Sequence, residues 1–382
     1  LVGQVLKTYI TPHGGKLSLT RIWSGTLKDG ATVNGDRVGG ISRLLGAEQH
    51  KLAEARAGDV VALARLEHAH TGDTLHEGKG GGEACPKAPH LPPVFSLAIS
   101  ATNRNDEVKL SGAVAKLVEE DASISFEQDA TLQQFVMAGQ GDIHLRVACS
   151  RLKNKYGLAV EQVRPKIGYK EAIRKPVSQH GRHKRQSGGH GQFGDVHIDI
   201  KPLPRGSGIA FESKIVGGSV PRQYVPGVEA GVLEYLLAGP LGFPVVDVAV
   251  TLTDGSYHQV DSSEMAFKTA ARIAMSEGMP KCDPVLLEPI CHLDAMAPTD
   301  FTAKVNALIS SRRGQILGFD ARQGWPGWDV VSALVPQSEM HDMIVDLRSM
   351  TQGVGTFTWR FDHLQELTGR LADQVLAATR AA

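Results

Sequence analysis

Two polar segments, His180–Phe193 and Thr253–Val260, carry residue types that bind phosphate and unpaired nucleic-acid bases. The first segment supplies cations, an amide and a small-residue turn: Arg182, Lys184, Arg185, Gln186 and Ser187–Gly188–Gly189. The second supplies two rings, Tyr257 and His258. Cations and exposed amides suit phosphate oxygens, and flat rings stack on splayed bases. The two segments are therefore predicted to meet as an RNA-contacting surface, although composition alone is equally compatible with flexible surface loops.

Nucleotide motifs are incomplete. Gly189–Gly194 satisfies G-x-G-x-x-G, but it follows a charged loop and runs into a strand-like segment, whereas dinucleotide binding needs a strand before it and a helix after it. The pattern G-x-x-x-x-G-K-[S/T] does not occur; Gly15–Lys16 and Gly78–Lys79 both lack the following hydroxyl residue. The sequence therefore predicts no nucleotide hydrolysis and no cofactor in this chain.

The histidines and serines do not form a recognisable metal or catalytic motif. His180, His183, His190 and His197, and separately Cys282, Cys291 and His292, lack zinc-type spacing, and nearby cations disfavour a metal ion. A second hypothesis, catalysis by His258, Asp261, Ser262 and Ser263, is disfavoured because no nucleophile-elbow spacing is present. Asp261 and Glu264 are spaced as a helix N-cap and its partner. We predict no metal site and no catalytic residue.

Bulk composition is typical of a globular protein of several domains. The 382 residues include 41 basic and 41 acidic side chains, but Arg151–His190 is strongly basic. The four cysteines form no C-x-x-C pair, and no uncharged apolar window is long enough to span a membrane. A reduced, cytoplasmic setting without a membrane partner is expected.

Turn signals and periodicity predict a multidomain α+β chain. Residues 1–78 read as short strands of a small β-barrel, and the Gly- and Pro-rich segment 79–93 reads as a linker. Residues 94–164 and 285–382 both show the strand–helix–strand–strand–helix–strand order of a ferredoxin-like domain, the second with a tail helix over Leu364–Ala378. Between them, 165–284 is a different α+β domain, in which Asp254–Gly255 predicts a hairpin tip.

Six segments resemble elongation factor G, in family order and over nearly the whole chain. They are Gly139–Leu145 (GQGDIHL), Arg185–Gly194 (RQSGGHGQFG), Gly217–Pro221 (GGSVP), Asp254–Phe267 (DGSYHQVDSSEMAF), Ser311–Gly318 (SRRGQILG) and Asp346–Gly353 (DLRSMTQG). The resemblance implies domains II to V of that family: a β-barrel and two ferredoxin-like domains flanking an elongated domain similar to ribosomal protein S5. The family's GTPase domain has no counterpart here.

The resemblance also implies site residues and partners. The tip expected at the decoding centre comprises Arg185, Gln186, Ser187, Gly188, Gly189, His190, Gly255, Ser256, Tyr257, His258 and Gln259. Arg182, Lys184, Arg312 and Arg313 are expected to contact RNA phosphates. The implied partners are ribosomal RNA of both subunits, stalk-base proteins, tRNA and mRNA, bound by a monomer. GTP and Mg²⁺ are expected only for the GTPase domain.

The implied function is the ribosome-binding portion of a factor that drives tRNA and mRNA translocation in its full-length, GTP-hydrolysing form. Two departures point to a diverged paralogue acting in ribosome recycling or protection: His190 stands where arginine is usual, and Arg146 stands where an acidic residue is frequent. A metal-dependent hydrolase using the histidine-rich loop is the remaining, disfavoured alternative.

Overall fold

A computed structural model of the chain describes residues 1–11, 15–46, 48–186 and 191–381, with side chains to residue 379. The chain divides into two compact units. One contains residues 1–166 and 341–358, and the other contains residues 167–340 and 359–382.

The first unit opens with a β-rich domain. Its strands are β1 (Val2–Ile10), β2 (Lys16–Ser24), β3 (Thr26–Lys28), β4 (Thr32–Val33), β5 (Asp36–Arg37), β6 (Ile41–Leu45), β7 (Glu48–Leu52), β8 (Glu54–Arg56), β9 (Val60–Ala64) and β10 (Thr74–His76). Six of them form a sheet in the order β10-β1-β2-β9-β6-β7, while β3–β8 and β4–β5 pair as short ribbons. Alternate residues such as Val5, Ile22 and Val61 point into one core. The predicted β-rich first domain is confirmed.

The second part of this unit has the predicted split β-α-β order. Its elements are β11 (Phe95–Ala101), α1 (Glu107–Glu120), β12 (Ser125–Asp129), β13 (Gln134–Gly139), α2 (Asp142–Tyr156) and β14 (Val160–Val163). The sheet order is β12-β13-β11-β14, as in a ferredoxin-like domain. Leu110, Val114 and Leu117 of α1 are buried at helical spacing, as are Leu145 and Leu152 of α2.

The second unit begins with β15 (Lys170–Ile173) and the domain that carries the candidate site. Its further elements are β16 (Val177–Arg185), β17 (Gln192–Pro202), β18 (Ile209–Ser213), α3 (Val225–Leu236), β19 (Val248–Ser256) and α4 (Glu264–Gly278). The sheet order is β16-β17-β19-β18, with β18 parallel to β19. Val196, Ile198 and Ile200 alternate along β17 and pack into a core shared with Phe267 and Ala271 of α4. The opposite face of the sheet therefore carries the polar residues.

Glycines let α4 approach its neighbours closely. A Cβ added at Gly181 of β16 would lie 2.6 Å from the amide nitrogen of Ala274, and one at Gly194 of β17 would lie 2.5 Å from the carbonyl oxygen of Ala266. On α3, a Cβ at Gly227 would lie 2.6 Å from the carbonyl oxygen of Glu264. These neighbours are backbone atoms, which cannot move aside without shifting the helix.

We expect Gly181→Ala to lower the free energy of unfolding of the second unit by about 1–3 kcal/mol, because the added methyl group overpacks the seam with α4. Gly112→Ala is the matched control. Gly112 is an exposed position of α1 with nothing within 4 Å of an added Cβ, so alanine there should stabilise its helix by about 0.5–1 kcal/mol. Urea unfolding measures both, and a Gly181→Ala protein as stable as wild type would contradict the close approach.

The elements after residue 284 follow the order of the second predicted ferredoxin-like domain. The remaining elements are β20 (Pro284–Pro298), α5 (Thr302–Ser311), β21 (Gln315–Ala321), β22 (Trp328–Pro336), α6 (Met343–Met350), β23 (Thr356–Glu366) and α7 (Arg370–Ala381). Of these, α6 and the first three residues of β23 lie within residues 341–358 and so belong to the first unit. The sheet runs β15-β20-β22-β21, and β23 pairs with β20. The predicted start of the tail helix at Leu364 is wrong, because β23 runs on to Glu366 and α7 begins only after Gly369, which has a φ of 68°. The prediction of a multidomain α+β chain is confirmed.

Candidate nucleic-acid interface

The candidate site lies where β16, β17 and the end of β19 meet. The antiparallel register places Arg182 opposite Asp195, Lys184 opposite Phe193 and Arg185 opposite Gln192. Because strand residues alternate between faces, this hairpin presents Arg182 and Lys184 on the face away from α4. Both side chains are exposed, as are Arg185 and Gln186.

Four predicted tip residues, Ser187, Gly188, Gly189 and His190, lie outside the described residues. Their predicted contact with RNA stays a prediction. The flanking strands are described: β16 ends at Arg185 and β17 begins at Gln192.

The predicted hairpin tip at Asp254–Gly255 is wrong. β19 continues through both residues, with Asp254 opposite His197, Gly255 opposite Val196 and Ser256 opposite Asp195. A register shift here makes Thr253 the extra residue. Glycine is required at position 255 because an added Cβ would clash with the carbonyl oxygen of Asp195. The Asp-Gly pair thus marks close strand approach, which sequence cannot distinguish from a turn.

Hydrogen bonds join the first polar segment to Asp261 and Ser262, the two residues that directly follow the second segment. The amide of Gly191 donates to Oδ1 of Asp261 at 2.9 Å, and the amide of Phe193 donates to the carbonyl oxygen of Asp261 at 2.8 Å. The hydroxyl of Ser262 accepts from the amide of His258 and donates to the carbonyl oxygen of Phe193, both at 2.9 Å. Asp261 and Ser262 therefore hold the second segment against the first.

These contacts change the predicted roles of two residues. Asp261 does not cap α4; Ser263 does, accepting from the amide of Ala266 at 3.2 Å. Spacing alone misassigned the cap because Asp261 and Ser263 are both good capping types before the same helix. Ser262, considered above only as a nucleophile, connects the two segments. No sequence signal identifies that role, since it depends on the pairing of Phe193 with Ser262.

Rings and cations lie together on this surface. The guanidinium carbon of Arg182 is 5.4 Å from the ring centroid of Phe193, and that ring is 6.4 Å from the ring of His258. Tyr257 is 44% exposed, and Ser256, His258 and Gln259 are exposed beside it. The arrangement offers positive charge for phosphate oxygens and accessible rings for bases.

The other two predicted RNA contacts are engaged within the protein. Arg313 makes two parallel hydrogen bonds to Glu288, at 2.9 and 3.0 Å, and a third to Oε1 of Glu339 at 3.0 Å. Nη1 of Arg312 donates to the carbonyl oxygen of Glu339 at 2.6 Å. Neither arginine belongs to β16, β17 or β19, the strands that form the candidate site. The predicted RNA contact of both arginines stays a prediction.

Within the described part of the chain, no helix is long and apolar enough to cross a membrane.

Comparison with known proteins identifies all four regions. Residues 1–78 match the family model of elongation factor G domain 2, 91–164 that of domain III, 165–283 that of domain IV, and 285–375 that of the C-terminus. The elongation factor G-like protein of Synechocystis sp. is 56% identical over 372 residues, covering 97% of this chain and 55% of the relative. A crystal structure of a protein from Thermus thermophilus matches with a TM-score of 0.86 at 34% identity, covering 100% of this chain and 58% of that one.

The chain thus spans a little over half the length of these two proteins. The family models match in the order in which the six sequence segments resemble the family, and together they cover nearly every residue. The chain belongs to the elongation factor G family.

Proposed function

We propose that this chain is the ribosome-binding portion of a translation elongation factor that promotes movement of tRNA and mRNA in its full-length, GTP-hydrolysing form. The observation that carries the proposal is the joined pair of segments at the end of β16, β17 and β19, with Arg182, Lys184, Tyr257 and His258 exposed together. Family membership supplies the class of partner, and the site supplies the surface that would touch it.

The proposed contact has two parts. Arg182, Lys184 and Arg185 neutralise backbone phosphates, while Tyr257 and His258 meet bases near the codon and anticodon. The strand that carries the three cations, β16, and its neighbour β17 pack closely on α4, which holds them in position. We assign ribosomal RNA of both subunits, stalk-base proteins, tRNA and mRNA as partners of a monomer in the cytoplasm. Because no segment has the pattern G-x-x-x-x-G-K-[S/T], GTP and Mg²⁺ are assigned to the GTPase domain of the intact protein.

Ribosome binding of this chain is expected to weaken steeply as salt rises, because each phosphate contact releases counterions. Lys184→Ala should reduce the slope of log affinity against log salt by about one. Lys201→Ala is the matched control, since Lys201 is an exposed lysine at the other end of β17. Co-sedimentation with ribosomes over a salt series measures both. Binding insensitive to salt, or equal effects of the two variants, would refute the proposed surface.

A second candidate is a diverged paralogue acting in ribosome recycling or protection. It is favoured by His190 and Arg146, which depart from the family pattern. Arg146 is exposed and pairs with Asp142 one helical turn earlier, at 2.8 Å. Comparing translocation and subunit-splitting rates of the intact protein separates the two functions.

A further inference from the structure

We propose that the outer face of the β16–β17 hairpin binds a divalent transition-metal ion, of which Zn²⁺ is the best match, through His180, Asp195 and His197. The register places His180 directly opposite His197, and Asp195 precedes His197 by two positions on the same strand. All three side chains therefore project from one face of the sheet. The proposal does not depend on ribosome binding.

The ligand atoms are already close together. One atom from each of the three residues lies within 4.8 Å of the other two, and among the described residues this is the group that satisfies that spacing. The imidazole rings of His180 and His197 stack with centroids 4.3 Å apart, and Nε2 of His180 contacts Oδ1 of Asp195. Zinc-to-ligand bonds of about 2.0–2.2 Å need donor atoms roughly 3–4 Å apart. The observed separations, all within 4.8 Å, are close to that spacing.

Neighbouring groups orient and charge the cluster. The hydroxyl of Ser256 donates to Oδ2 of Asp195 at 2.6 Å, which leaves Oδ1 directed toward His180. Asp254, opposite His197, adds a second negative charge to the face. Arg182 is the opposing cation, and its guanidinium lies over the ring of Phe193.

The ligand set selects the kind of ion. Two imidazoles and one carboxylate are typical of zinc and related transition metals, whereas Mg²⁺ and Ca²⁺ prefer oxygen ligands alone. Three protein ligands leave a fourth position for water or for a group on a partner. The bound ion would tie β16 to β17 below the tip segment.

The expectation of no metal site rests on spacing along the chain and on the cations nearby, and it takes in only histidines and cysteines. His180 and His197 lie 17 positions apart in the sequence, so no zinc motif is apparent there. Strand pairing makes that separation irrelevant, and it also brings in Asp195, which no spacing along the chain singles out. His183 remains outside the cluster, contacting Oε1 of Gln192 at 3.0 Å.

Titration of the purified chain with Zn²⁺ by calorimetry tests the proposal, with Co²⁺ absorbance as a second readout of the coordination sphere. We expect one ion per chain. His180→Ala and His197→Ala should each weaken binding by roughly tenfold or more, and Ser256→Ala, which removes only the orienting hydrogen bond, by roughly tenfold. His183→Ala is the matched control and should bind as wild type does.

Two outcomes would overturn the site: no uptake of Zn²⁺ by the wild-type chain, or equal uptake by wild type and the double variant His180→Ala/His197→Ala. Both histidines are exposed, so thermal melting should confirm that the variants fold. Because no ribosome is present in the assay, failure here leaves the proposed RNA surface untouched, and failure of ribosome binding leaves the metal site untouched.

Discussion

Replacing Arg313 with methionine is expected to lower the free energy of unfolding of the second unit by about 3–5 kcal/mol. The guanidinium of Arg313 satisfies both carboxylate oxygens of Glu288, whose side chain is only 5% exposed, and one oxygen of Glu339. Methionine would leave Glu288 charged, buried and without its cation. Arg313 has a φ of 56°, but arginine and methionine both carry a Cβ, so the backbone cost cancels in the comparison.

Urea unfolding followed by tryptophan fluorescence measures the effect, since Trp325 lies between β21 and β22 and Trp328 is the first residue of β22. Arg272→Met is the matched control: Arg272 is an exposed arginine of the same unit that pairs with Glu234 at 3.1 Å, and its loss should matter far less. Glu288→Gln added to Arg313→Met should restore part of the stability. Similar losses in the two arginine variants would show that the Arg313 network is not a stabilising one.

The second large effect concerns pH and the buried carboxyl group of Glu171. Its oxygens accept the amides of Leu241 and Phe243, each at 3.0 Å, yet burial outweighs these bonds and raises the pKa of Glu171 to about 7. Below the ordinary glutamate pKa both the folded and unfolded states hold the proton. Between that value and about 7 only the unfolded state loses it. The stabilisation is therefore complete at low pH and is lost as pH rises, by about 3 kcal/mol in all.

Glu171→Gln removes the titrating group, so its unfolding free energy should lack this decline between about pH 4.5 and 7. Chemical unfolding of both proteins at several pH values gives the comparison. Glu212→Gln, which changes an exposed carboxylate on β18, is the control and should follow the wild-type profile. If the Glu171→Gln and wild-type profiles run parallel, the carboxyl group is ionised throughout and the assignment fails.

Periodicity in the sequence predicted the elements well because burial follows element geometry. The apolar stripe through Leu110, Val114 and Leu117 marks α1, and alternation through Val196, Ile198 and Ile200 marks β17. The order of elements then predicted two ferredoxin-like domains. These inferences need only local sequence, because each element buries the face that its own period defines.

What sequence could not predict depends on pairing between distant segments. Asp254–Gly255 has turn composition, yet its conformation is decided by the carbonyl oxygen of Asp195. The approach of His180 to His197 follows from strand register, and the engagement of Arg313 follows from the position of Glu288 on β20. Residue types suggested these positions as functional, but register and tertiary contact decide what each one touches.

The close packing of Gly181 and Gly194 against α4 has a mechanical consequence. Where Gly181 and Gly194 meet the helix, backbone rests on backbone, so few side-chain rotamers are available there to yield under load. A force applied at the end of β16 and β17 that carries the candidate site would displace these strands and α4 together. It would not be taken up by rotation of side-chain torsion angles. For the function proposed above, the movement of tRNA and mRNA, such low compliance would be an advantage.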